Sequence, residues 1–592
     1  MASFEAYALT WDLDSIAAHP ESETFRQAID AFRDDLNSVA TVSDELPVAS
    51  GDASVVGAWG EFLSAYGEIR ARQTELNAFV GCHAAADAEN RVFQQLEAEL
   101  SALGPIRQRI DTNIEFALKE ADDAEFEEFC RSDEELKRVA FFLHDSRKRA
   151  EMRLPKAQES LAADLSVDGI HAWGRLYDRV SGSLRISLME RGEVVEKSPG
   201  QVQFDSPERA IRENNFLAAD KAWSTIGDVC AEALNHISGT RLTMYRHLGF
   251  TDHLEAPLRY NRMRRETLDA MWGSISAGKS MLSPYLERKA QLLGLEKLSW
   301  FDLQAPLPSA GAKSSKISYD EACDRVIETF SEFSPELGAF ARTAIEKRWI
   351  EVENREGKRQ GGFCTDLPVS RESRIFMTYT DTPDSLSTLA HELGHAYHTY
   401  VLRDEPLLLQ DYPMNLAETA STFAEAVVGE QRLREADTAE EIEILDGMLG
   451  DAVAFLMNIH ARFIFEDRFH QERKRGELSS ERLTELMLDA QRIAYGDALS
   501  ADGWNGRFWI SKLHFYISEL PFYNFPYTFG YLLSLGVYAL GRESNGDFAE
   551  QYRRLLIATG GSDTEAAVSS TMGYDLSDGE FWERSLSIVD SR

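Results

Sequence analysis

Long apolar runs are missing from this chain of 592 residues. No stretch approaches the ~18 consecutive apolar residues that a membrane-spanning helix needs, so no membrane partner is expected. Basic residues are in short supply. There are 62 Lys and Arg against 99 Asp and Glu, a formal net charge of −37. A surface with that balance repels phosphate backbones and anionic lipid, so nucleic acid is not an expected partner either. Cysteine is scarce: Cys82, Cys130, Cys230, Cys323 and Cys364 are scattered, odd in number and without a CxxC pair. That argues against a disulfide framework and against a cysteine metal site, and it fits a reducing compartment. Residues Met1 to Thr10 show no basic region leading into an apolar core. No secretory signal is read, and the expected location is the cytoplasm.

What is present is ordinary for a globular protein, with 43% hydrophobic and 27% charged residues. The length allows a large core and more than one lobe. Helical periodicity runs from Val55 to about Ala102, with Trp59, Phe62, Leu63, Tyr66 and Ile69 at core spacing, then from Ile106 to Lys119 and from Glu134 to about Leu161. Arg185–Glu190 and Gly192–Glu196 read as two short strands, with a third extended piece at Gln201–Phe204, and a lobe boundary is placed near residue 200. Long helices follow over 206–248 and 264–293. Leu303–Ser315 reads as an exposed loop. Ser318 and Glu321 form a capping box, and a helix opening at Ser334-Pro335 is expected to reach about Val352. Arg374–Thr380 reads as a strand, and a last set of long helices spans 439–498. His83, His144, His460 and His470 have no ligand-like neighbours and are read as packing or surface residues.

One stretch carries chemistry. Thr382-Pro383-Asp384 is a helix start: a capping hydroxyl, proline at the first helical position and an acid in the first turn. Leu386, Leu389, Ala390, Leu393, Tyr397, Tyr400 and Val401 then recur as a buried stripe. On this helix His391 and His395 lie one turn apart, about 6 Å of rise, where two imidazoles can share one metal ion. Glu392 lies between them in the pattern HExxH and can reach a water on that metal. A catalytic zinc usually takes three protein ligands and leaves a fourth position open. The next helix begins near Asn415 and carries Glu418 in its first turn and Glu425 on the same face. Glu418 fits as the third ligand; Asn415 with Glu418 also fits a capping box. The two histidines just upstream favour the ligand. Glu425 is expected to orient a ligand histidine.

HELGHAYH at 391–398, followed by Glu418, Ser421 and Glu425, resembles the thimet oligopeptidase and oligoendopeptidase F family of zinc metallopeptidases. The likeness extends from about residue 200 to the C-terminus and is weaker over the helical N-terminal part. It implies a mainly α, two-lobed helical zincin with a small β-sheet beside the HExxH helix and a deep substrate channel. The expected domains are a helical lobe over 1–200 and a metallopeptidase domain over 201–592. It implies one Zn²⁺ per chain on His391, His395 and Glu418, with Glu392 as general base, and it leaves His398 as a structural or supporting residue. The expected substrates are short unfolded oligopeptides, cut internally. The family places a transition-state-stabilising histidine and tyrosine in a segment like 514–531, where His514 and Tyr523 are the expected pair, with Tyr527 and Tyr531 behind them. The spacing there departs from the family pattern. Against this stand a helical zinc carboxypeptidase and a catalytically degenerate peptide-binding protein; the intact Glu392 argues against the second.

Overall fold

The structure is a computed structural model that describes residues 6–190, 192–308, 316–544 and 548–592. It is mainly helical and divides into two compact units, each assembled from separated stretches of chain. The first unit takes Met1–Met152, Lys313–Arg432 and Leu540–Tyr574; the second takes Arg153–Ala312, Leu433–Ala539 and Asp575–Arg592. Residue 200 therefore lies inside the second unit.

In the first unit the longest helix, Ala53–Ala86, starts where the Asp52 carboxylate accepts the Ser54 amide. It buries Trp59, Phe62, Leu63, Tyr66 and Ile69, the stripe read from the sequence. The expected continuation to Ala102 is interrupted at 87–90, where Asn90 caps a new helix, Arg91–Ser101, by accepting the Val92 amide. Asparagine and aspartate side chains offer the backbone such local bonds, which is why they break a helical run that apolar spacing alone would carry through. Ser318 caps the helix Tyr319–Phe333 as expected. The helix opening at Pro335 stops at Glu346, short of Val352, because Ile350–Glu351 is already a strand.

Three strands make the sheet of this unit: β3 (Ile350–Glu351), β4 (Phe363–Leu367) and β5 (Glu372–Phe376), in the order β3-β5-β4. β4 runs antiparallel to β5, and β3 runs parallel to it. β1 (Ile186–Glu190) and β2 (Glu193–Lys197) form an antiparallel hairpin in the second unit. The sequence leaves Arg374–Thr380 open between a strand that pairs with an extended substrate backbone and a buried strand without substrate contact, and the structure fits the second. β5 is the central strand, so both of its hydrogen-bonding edges are taken. Beyond Phe376 the Met377 and Tyr379 amides still donate to Glu351 and Val352 carbonyls at 2.9 Å. Arg374 is fully buried, and its guanidinium donates to the Asp12 carbonyl at 2.8 Å. The run Ile375-Phe376-Met377 is apolar on successive residues, the mark of a strand covered on both faces.

The HExxH helix spans Pro383–Leu402, with the Thr382 hydroxyl accepting the Ser385 amide at 3.2 Å. Its buried stripe is the one read from sequence except at Tyr400, which is half-buried. Glycine at 394 lets it meet the helix Met414–Glu435: a β-carbon there would stand 2.5 Å from the Ala420 carbonyl oxygen and 2.7 Å from the Ser421 α-carbon.

The second unit is helical around Phe465, Phe469, Met487 and Trp509. The expected helical stretch 439–498 is three helices, Thr438–Val453, Ile459–Arg473 and Ser480–Tyr495, the first two joined by a π-helical turn. Gln201–Phe204 is irregular after a short 3₁₀ turn at Pro199–Gln201, so it adds no strand to the hairpin. Of the loop expected at 303–315, residues 309–315 lie outside the described residues.

Gly394→Ala tests the close helix approach. Propensity alone would favour alanine by about 1 kcal/mol in a helix interior. Because the added methyl meets backbone that cannot rotate away, net destabilisation of about 1–3 kcal/mol is expected. Equilibrium denaturant unfolding of metal-free protein reads this, and a variant as stable as the parent would show that the helices can part at no cost.

Candidate metal centre

The one-turn spacing of the HExxH helix brings His391 Nε2 and His395 Nε2 to 3.2 Å from each other. Both nitrogens stand 3.4 Å from Glu418 Oε2, contributed by the Met414–Glu435 helix. Ligand atoms about 2.0–2.1 Å from a tetrahedral ion stand about 3.3–3.4 Å apart, because the angle between them is about 109°. The triangle therefore has the size that one such ion requires. Among the described residues this trio is the one cluster of histidine, cysteine or carboxylate groups suited to a metal. Two nitrogens and one carboxylate oxygen suit zinc chemically and leave a fourth position open. The capping alternative for Glu418 does not describe the geometry. Asn415 donates its side-chain amide to the Thr564 hydroxyl at 3.0 Å, while Glu418 Oε2 accepts from the Ser421 hydroxyl at 2.6 Å.

Glu425, two turns further along, reaches the far side of His391: its Oε1 lies 2.5 Å from Nδ1. A proton held on Nδ1 by that carboxylate leaves the Nε2 lone pair for a metal. The other Glu425 oxygen accepts from the Ser387 hydroxyl at 3.1 Å. In the metal-free chain, burial would lower the His391 pKa, but the Glu425 hydrogen bond and the charges of Glu425, Glu418 and Glu392 outweigh it and raise the value to about 9. His395 is pushed down to about 4 by burial and by the charge on His391. One imidazolium thus stands where a metal would stand.

Glu392 is 6% exposed, and its Oε2 has no hydrogen-bond partner among the described residues. Burial, opposed by His391 and reinforced by Glu418 and Glu425, raises this carboxyl to about 7. A base poised near neutral pH suits proton transfer. The sequence reading missed the residue that leaves it room. A β-carbon on Gly362 would stand 3.2 Å from Glu392 Oε1, and Gly361 beside it takes φ +95°. The pair reads in the sequence only as a helix breaker. His398 is fully buried away from the trio. Its Nε2 donates to the Thr559 hydroxyl at 2.8 Å and its ring stacks on Tyr412 at 4.0 Å, while burial first of all pushes its pKa down to about 3. It ties the HExxH helix to the helix Phe548–Gly561.

The second unit gathers His514, Tyr523 and Tyr527. The His514 ring stacks on Tyr523 at 5.4 Å and meets Tyr527 edge-on at 6.2 Å. All three are half-buried. Tyr531 is separate, packed flat against Phe455 at 4.5 Å and 7% exposed. His460 stacks on Trp272, and the fully enclosed His470 donates Nδ1–H to the Glu466 carbonyl, both packing roles as expected.

A metal bound at the trio competes with the proton on His391. Metal addition near pH 7 is therefore expected to release at least one proton per site, with affinity rising as pH goes from about 6 to 9. The sign follows from the raised pKa: below about 9 the proton occupies the site, and above it the lone pair is free. Titration with Zn²⁺ or Co²⁺ in weak buffer, read by an indicator dye, checks this; pH-independent affinity would remove His391 as a ligand.

Comparison with known proteins bears on the same region. The family model described as Peptidase family M3 matches residues 202–588, and the one described as Oligopeptidase F matches 118–186. Oligopeptidase PepF of Bacillus subtilis (strain 168) is 24% identical over 544 residues, which is 88% of this chain and 77% of that protein. The crystal structure of oligoendopeptidase-F from Enterococcus faecium shares the fold with a TM-score of 0.69 at 20% identity, covering 96% of this chain and 97% of that one. PZ peptidase A, solved with an inhibitor, shares it with a TM-score of 0.74 at 17% identity over 98% of each chain. Because the M3 model spans well over half of the sequence and includes the histidine pair with its two glutamates, the chain belongs to peptidase family M3 and is a metalloendopeptidase.

Proposed function

We propose that this metalloendopeptidase holds one Zn²⁺ on His391, His395 and Glu418 and hydrolyses internal bonds of short, unfolded oligopeptides inside the cell. The observation that carries the reading is the 3.2, 3.4 and 3.4 Å triangle of donor atoms with a buried carboxylate at its side. Zinc at that position supplies a Lewis acid that polarises the scissile carbonyl and makes a water nucleophilic at neutral pH. Glu392 takes the proton of the attacking water and hands it to the leaving amine. Glu425 keeps His391 in the tautomer that presents Nε2, and Ser421 fixes the Glu418 carboxylate. His514 and Tyr523 are proposed as donors to the developing oxyanion, as the family resemblance implies. Their mutual stacking and partial exposure support that assignment.

Short peptides are supported by the names of the relatives, which include oligopeptidase and oligoendopeptidase. A compact folded protein would have to unfold before it could present a bond, at about 5–15 kcal/mol. The intracellular setting is supported by five cysteines without a disulfide among the described residues. No described helix is long and apolar enough to cross a membrane. The net charge of −37 disfavours nucleic acid as a partner.

Glu392→Gln should retain metal and fold yet lower kcat by a factor on the order of 10² or more. Metal analysis, thermal unfolding and turnover of one peptide read the three quantities, and near-normal turnover would remove Glu392 as the base. Mass spectrometry of products from a peptide ladder, run beside compact native proteins, should show internal cuts confined to peptides. Release of single terminal residues alone, or efficient digestion of the folded proteins, would refute the substrate class.

A further inference from the structure

The second unit contains a cavity of about 720 Å³ walled by aromatic rings, among them Trp223, Trp300, Tyr495 and Phe508. Four basic residues line it: Lys289, Arg462, Arg507 and Lys512. Two are neutralised within the chain. Lys289 Nζ lies 2.9 Å from Asp446, and Arg507 lies 2.6 Å from Asp220. The other two are not. Among the described residues no carboxylate lies within 4.0 Å of Arg462 or Lys512. Arg462 spends its Nε–H on the side-chain oxygen of Asn458 at 2.8 Å, which carries no charge. Both cations stand over the ring of Phe508, Arg462 at 5.4 Å and Lys512 at 4.9 Å from its centroid.

Asp220, Asp446 and Asp451 line the same cavity, yet none lies within 4.0 Å of either cation, which leaves this arrangement costly. Two like charges share one ring in partial burial, and burial disfavours each charged form. Burial first, then the charge of Arg462, pushes Lys512 down to about 8, and burial lowers Arg462 to about 10. A buried pair of like charges is stabilised by an anion that arrives from outside. The rings around it select an anion carried on an organic chain, which can bury apolar surface while its charge is held. A phosphate-rich polymer is disfavoured by the overall negative field.

We propose that Arg462 and Lys512 form a carboxylate-binding site that anchors an acidic group of a peptide substrate in this cavity. The proposal rests on the peptidase reading above for the identity of the ligand. Two sources of the carboxylate share this chemistry, the C-terminus of the peptide and an aspartate or glutamate side chain. His514, two positions from Lys512, is held neutral by burial first and then by these two cations, its pKa lowered to about 4.

The test uses the full-length chain carrying Glu392→Gln, so that bound peptide persists, and fluorescence anisotropy with an N-terminally labelled peptide containing one glutamate and a free C-terminus. The same peptide is made as its C-terminal amide and with glutamate replaced by glutamine. One of the two neutralisations is expected to weaken binding at least tenfold, and which one does so identifies the source. Lys512→Met, which keeps the aliphatic stem over Phe508, should erase that difference, as should Arg462→Met; Lys512→Arg should preserve it. Thermal unfolding verifies that each variant is folded, and the Lys512→Met and Arg462→Met tests stand in for each other. The proposal is overturned if neither neutralisation matters, if no peptide binds, or if the methionine variants weaken charged and neutral peptides by the same factor. Failure of the parent enzyme to cut the peptide, with carboxylate discrimination intact, would instead refute the peptidase reading and leave the anion site standing.

Discussion

The contact between two helices at Gly394 is the constraint on which the metal centre depends. The HExxH helix supplies two imidazoles whose spacing is fixed by the helical turn, so their separation is a local property. The third donor comes from another helix, and its distance is set by how closely the two backbones approach. With hydrogen in place of a methyl group at 394, the Ala420 carbonyl and the Ser421 α-carbon fill the position a side chain would take. That approach brings Glu418 to 3.4 Å from both histidines, and the same helix, two turns on, brings Glu425 to the back of His391. His398, further along the same helix, bonds Thr559 and holds another helix against it.

Once these helices are in place, electrostatics follows. Glu392, Glu418 and Glu425 surround two imidazoles in a partly buried space, and three carboxylates so close repel each other unless cations lie between them. In the metal-free chain a proton on His391 provides that charge, while burial first of all, then the charges of Glu418 and Glu425, raise Glu392 to about 7. A divalent ion suits the site better than a single proton. The donor set therefore has a reason to bind metal that does not depend on its likeness to other proteins.

The second unit presents the opposite situation. Around its cavity Asp446 pairs with Lys289 and Asp220 with Arg507, and Arg462 and Lys512 are left over a single aromatic ring. The excess of negative charge is a property of the whole chain, but its local distribution is uneven. One unit gathers carboxylates that call for a cation, and the other gathers cations that call for an anion.

The sequence alone determined the parts that depend on nearest neighbours along a helix. The Thr382 cap, the buried stripe through Leu393, the pairing of His391 with His395 and the presence of Glu392 between them all follow from a repeat of about 3.6 residues. Glu418 and Glu425 were legible because they too share one helical face. What pattern could not assign was anything resting on contact between distant stretches. A capping box and a metal ligand have the same spacing at Glu418, and the closeness of Glu418 to both histidines comes only from the neighbouring helix. Arg374–Phe376 reads as a strand whether it lies at an edge or at the centre, and the pairing with Ile350–Glu351 and Phe363–Leu367 put it at the centre. Gly362 reads as a break in a helix, and the position of Glu392 against it gives it a purpose. Local propensity is encoded within a few residues. Closeness of backbones, completeness of ion pairs and the filling of a strand edge are decided by packing between segments tens to hundreds of residues apart, and so they belong to the tertiary structure.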